Sequence, residues 1–67
     1  MGFAYNNLRL FRQKNGYTQE QIAEKLGVSR QAVAKWESGA SDPSTSNLLA
    51  LAKLYGVSAD DLLKKVR

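Results

Sequence analysis

At 67 residues the chain is too short to build two hydrophobic cores, and residues 1–67 are read as one domain. It has no cysteine and no histidine, which removes disulfides, thiolate nucleophiles, imidazole bases and the usual zinc ligand sets. With 43% hydrophobic and 24% charged residues it has an ordinary globular composition and lacks the run of about 18 apolar residues that a membrane helix needs.

The first predicted helix covers about residues 5–14, where Tyr5, Leu8 and Phe11 recur at helical spacing until Asn15-Gly16 stops the run. Thr18 then stands as an N-cap with Gln21 at the position where each side chain can satisfy the other residue's free N–H. Ile22, Ala23 and Leu26 form the apolar stripe of a second helix, about 19–26, which ends at Gly27. Ser29 caps a third helix, about 30–38, with Ala32, Val33 and Trp36 as its stripe and Ser38-Gly39 as its stop. A polar stretch over 40–44 contains Asp42-Pro43 and precedes a fourth helix, on which Leu48, Leu51, Ala52 and Tyr55 share a face before Gly56. Ser58 and Asp61 open a last helix carrying Leu62, Leu63 and Val66. No alternating strand pattern occurs, and the expected fold class is all-α with five short helices.

Ten Lys and Arg against six Asp and Glu give a formal net charge of +4, a moderate bias toward polyanionic partners. Residues 1–17 hold Arg9, Arg12 and Lys14 with no acid, and no block of like charge reads as a disordered tail. The N-terminus lacks the pattern of a secretory signal, so a cytoplasmic location is expected. A domain this small without covalent staples depends on tight helix packing or on a second subunit, and a homodimer is expected.

The sharpest turn falls at Gly27, because glycine takes positive φ without a Cβ penalty. Two short helices joined there form a helix-turn-helix candidate over 18–38. Ala23, four residues earlier, lets the following helix cross closely, and Ile22, Leu26, Val28, Val33 and Trp36 are spaced to wedge the pair at a fixed angle. At about 100° per residue from Val33, Trp36, Ala32 and Ser29 fall on or near the buried side. Arg30, Gln31, Ala34, Lys35 and Ser38 fan across the other. Arginine and lysine can donate to guanine edges, glutamine can pair with adenine, and Ala34 permits close approach to a thymine methyl. Taken alone, that face reads as a solvated helix surface; its placement after a helix-turn-helix turn favours the base-reading role instead. Trp36 belongs to the core stripe, and Glu37 at the stripe's edge needs a cation. Leu10 lies opposite the core side of the first helix.

Several segments in order resemble the Cro and phage-repressor type of helix-turn-helix, the xenobiotic-response-element family. They are Leu8-Arg9-x-Phe11-Arg12, the run from Gly16 to Ala23, the run from Leu26 to Val33, Lys35-Trp36-Glu37-x-Gly39, Pro43-Ser44, and Leu51-Ala52-x-x-Tyr55-Gly56-Val57-Ser58. The resemblance implies a lambda-repressor-like domain whose third helix enters the DNA major groove. It implies a transcriptional regulator, expected to be a dimeric repressor on a two-fold operator of double-stranded DNA, with no cofactor and no small-molecule ligand. Ser29, Arg30, Gln31, Ala34 and Lys35 are then the candidate base contacts. Thr18, Gln19, Ser38, Ser41, Ser44 and Thr45 are the candidate phosphate contacts, and Arg12 is the implied partner of Glu37. Asp42 departs from the family pattern and would repel the backbone.

Catalysis finds no carrier. The acids are Glu20, Glu24, Glu37, Asp42, Asp60 and Asp61, and the last two are explained by the dipole at the start of a helix. The alternative function is a protein-interaction module of antitoxin type, in which DNA binding is secondary.

Overall fold

The computed structural model describes residues 6–63; the apolar positions Tyr5 and Val66, and the side chain of Leu63, lie outside the described residues. Five helices follow one another: α1 Asn6–Lys14, α2 Gln19–Leu26, α3 Arg30–Ser38, α4 Thr45–Tyr55 and α5 Ala59–Leu63. The sequence spacing predicts these bounds to within a residue where it sets them, and the all-α class holds.

Both ends of α2 show why. Thr18 is extended (φ −88°, ψ 164°); its hydroxyl accepts from the Gln21 N–H, while Gln21 Oε1 accepts from the Thr18 N–H at 2.8 Å. At the other end Gly27 adopts the left-handed conformation (φ 71°), and the Val28 N–H donates back to the Ala23 carbonyl at 3.0 Å. This closing geometry satisfies carbonyls that the helix end would leave open. It recurs at the ends of α1, α3 and α4, where Tyr17, Ala40 and Val57 donate to Arg12, Lys35 and Ala52. Such an end closes each of α1 to α4, so the chain changes direction after each of these helices.

The core is Leu8 from α1, Ile22 and Ala23 from α2, Val33 and Trp36 from α3, Leu51, Ala52 and Tyr55 from α4, and Leu62 from α5. Each apolar stripe read from spacing supplies part of it. Fully burying one Leu or Val side chain contributes about 1.5–3 kcal/mol, and Leu8, Ile22, Val33, Leu51 and Leu62 are essentially closed to solvent. Phe11, Tyr17, Leu26 and Val28 pack around this centre, and the Phe11 ring sits 6.3 Å from that of Tyr55. α2 packs on α3, α1 on α3 and α5, and α4 on α5. α3 is thus held from two sides, and its remaining side faces water.

Ser29 corrects the angular reading. It is exposed rather than near the buried side, because as N-cap it stands outside the helix and its hydroxyl accepts from the Ala32 N–H at 3.1 Å. Leu10 is exposed as expected, and Leu49 on α4 is exposed as well. No helix among the described residues is long and apolar enough to cross a membrane.

Candidate nucleic-acid interface

The first turn of α3 presents Arg30 and Gln31 to solvent, and the next turn presents Lys35, with Ala34 half-buried between them. Trp36 and Glu37, one step round the helix, are buried. The face that carries base-matching chemistry is therefore the face that packing leaves free. A nine-residue helix is about 13 Å long and about 10–12 Å across, dimensions that fit a major groove about 12 Å wide.

What fixes the pose of α3 is an ion pair beneath it. Arg12 Nε donates to Glu37 Oε2 at 2.6 Å and Nη2 to Oε1 at 3.1 Å, the forked geometry that matches guanidinium to carboxylate. Arg12 Nη1 also donates to the Tyr17 carbonyl at 2.9 Å, so one side chain ties α1, the following turn and α3. The side chains are 12% and 5% exposed. The bond to Glu37 holds the Arg12 pKa above its ordinary value, so the cation persists throughout the physiological range. The Tyr55 phenol beneath is pushed well above its usual range, chiefly by burial and then by the Glu37 carboxylate.

Gln19 was expected at the DNA backbone; here its Nε2 donates to Glu37 Oε1 at 3.1 Å, which joins α2 to the same pair. Arg9, to which the sequence assigns no contact, lines one recess with Arg12, Gln19, Ala34, Glu37 and Ser38. That recess has two cations to one acid. A second recess gathers Thr18, Glu20, Gln21, Ala23, Glu24 and Arg30. Its two carboxylates outweigh Arg30, whereas a further recess sets Arg12 and Arg30 against Glu20, with Thr18 and Gln19 beside them.

The hydroxyls divide by what their protons do. Thr18, Ser29 and Ser44 each accept an N–H from the helix they cap, from Gln21, Ala32 and Asn47 respectively. Accepting leaves the hydroxyl protons of Thr18 and Ser29 for an anionic oxygen, while the Ser44 hydroxyl also lies 3.4 Å from that of Ser46, a bond that either of the two can donate. Ser38 instead donates to the Lys35 carbonyl at 3.1 Å, and its hydroxyl must turn away from that bond to reach a phosphate. Ser41 and Thr45 are exposed in and after the loop, and Asp42 is exposed beside them.

Two helices joined by a left-handed glycine, the second presenting Arg30, Gln31 and Lys35 over a buried ion pair, define a helix-turn-helix protein of the lambda-repressor-like class. Residues 8–62 match the helix-turn-helix family, and the chain belongs to that family, in its Cro and repressor-like branch. It is 47% identical over 58 residues to the HTH-type transcriptional regulator ImmR of Bacillus subtilis, covering 87% of this chain and 46% of that protein. It is 45% identical over 56 residues to the HTH-type transcriptional activator BcrR of Enterococcus faecalis, covering 84% of this chain and 28% of that protein. The chain thus spans less than half the length of these two relatives. A solved structure described as a hypothetical transcription factor NHTF from Neisseria superposes with a TM-score of 0.79 at 34% identity, over 92% of this chain and 71% of that one. Both curated relatives are described as transcriptional regulators, and the part of each that this chain matches is the helix-turn-helix region.

Proposed function

We propose that this chain is the sequence-reading part of a transcriptional regulator that binds an operator as a homodimer and represses by occluding the promoter. The observation that carries this reading is the exposed face of Arg30, Gln31 and Lys35 on a helix locked from below by Arg12 and Glu37. Ser29 and Ala34 complete the base-reading set. Thr18, Gln19, Ser38, Ser41, Ser44 and Thr45 supply backbone contacts, which position the protein without carrying sequence information. One helix of about 13 Å meets roughly four base pairs. Two copies spaced about 34 Å apart along the duplex multiply that discrimination, which supports the dimer. With DNA as its target, the protein works in the cytoplasm.

A protein-interaction role of antitoxin type is the second reading, favoured by the exposure of Leu10 and Leu49. Sedimentation with an enriched duplex and a reporter fused to the bound promoter test the proposal together. Two copies per duplex and reduced reporter output are expected. One copy per duplex overturns the dimer, and raised output overturns repression.

A further inference from the structure

Glu37 is 6% exposed and accepts from Arg12 Nε, Arg12 Nη2 and Gln19 Nε2. An ionised carboxylate can only accept, so it holds Gln19 by the nitrogen end of the carboxamide and rejects the oxygen end. The chemistry of the pair, and not a choice between two similar atoms, fixes the orientation. Gln19 is the first residue of α2, where free backbone N–H groups and the helix dipole favour an anion. It borders the recess of about 210 Å³ that Arg9, Arg12, Ala34 and Ser38 also line.

We propose that Glu37 is a positioning residue for DNA-backbone binding: it locks one N–H of the Gln19 carboxamide and reserves the other for a phosphate oxygen at this recess. The inference rests on the reading of Gln19 as a phosphate contact. It gives an acidic residue, which would ordinarily repel DNA, a favourable role through a neighbour. Glu37's own charge is matched by Arg12, and Arg9 contributes the second cation. An amide free to rotate would turn its carbonyl oxygen toward the phosphate in part of the population, where two acceptors repel.

A mixed-sequence duplex serves as the probe, since phosphate contacts do not depend on sequence. Gln19→Ala should weaken binding about fivefold. It should leave the salt dependence unchanged, because a neutral amide releases no counterion. Glu37→Gln, whose amide can hold either end of Gln19, should weaken binding about fivefold in the wild-type background. In the Gln19→Ala background its effect should shrink to less than about twofold, the non-additivity expected of residues acting as a unit. Equal losses in the two backgrounds overturn the positioning role. No effect of Gln19→Ala overturns the phosphate reading itself. If Glu37→Gln fails to fold, the side-chain amide spectrum of the wild-type protein decides. One Gln19 proton should exchange more slowly than those of exposed Gln13 and Gln31. Two protons exchanging as fast as theirs overturn the lock.

Discussion

Arg12→Ala should destabilise the domain by an amount the structure allows to be worked out. The truncation removes both guanidinium bonds from a Glu37 side chain that is 5% exposed and removes the donor on the Tyr17 carbonyl. Gln19 remains as the one neutral donor on the carboxylate. Breaking a buried pair by deleting one partner costs about 3–5 kcal/mol. Arg12 is 12% exposed, so water can partly refill its place, and the low end, about 3 kcal/mol, is expected. For a domain of this size each kcal/mol moves the melting temperature by about 4–8 °C, so the variant should melt at least about 10 °C lower. Thermal unfolding followed by circular dichroism reads this directly. Replacing both residues with methionine should recover most of the loss, because an apolar pair needs no desolvation of charge. A shift below about 3 °C for Arg12→Ala, or a double variant no more stable than the single, would refute the argument that the pair is structural.

Gly27→Ala should cost about 1–2 kcal/mol from its φ of +71° alone, since an added Cβ would meet nothing within 4 Å; a urea titration checks this, and a neutral result would mean that the turn relaxes. Tyr55→Phe should remove part of the alkaline loss of stability. The folded phenol titrates above its unfolded value, so its contribution is intact below about pH 10 and falls as pH rises beyond that, by up to about 1.4 kcal/mol per unit. Urea melts of both proteins on the two sides of that window should diverge only on the alkaline side, and parallel curves would count against the burial of the hydroxyl. Gln31→Ala should lose about 1–3 kcal/mol of discrimination at one base position; uniform weakening on all duplexes would make Gln31 a backbone contact instead.

What the sequence made legible was chiefly local. Thr18 with Gln21, and Gly27 with Val28, act within a few residues, so their chemistry can be read as a pattern along the chain. The apolar stripes were legible for the same reason, since helical periodicity places Ile22, Val33 and Leu51 inward wherever the helices meet. The Arg12 and Glu37 pair spans 25 positions, and residue chemistry alone showed only that Glu37 needs a cation; the choice of Arg12 came from family resemblance. Gln19 reaching Glu37, and Arg9 joining the recess, depend on how α1 and α2 cross α3, for which spacing carries no signal. Ser29 was placed near the core because an angular count treats a cap as though it were inside the helix. Ser38 was grouped with the other hydroxyls, and only geometry shows that its proton is spent on the Lys35 carbonyl.

The most direct measurement is selection of bound duplexes from a randomised library at stated moderate salt, followed by sequencing, because backbone affinity alone varies steeply with salt. A reader built on Arg30, Gln31, Ala34 and Lys35 and working as a dimer should enrich a two-fold site with half-sites about one helical turn, 34 Å, apart. A library that emerges without sequence preference would contradict that reading, leave DNA as a non-specific electrostatic partner and turn attention to the exposed Leu10 and Leu49 as contacts for another protein.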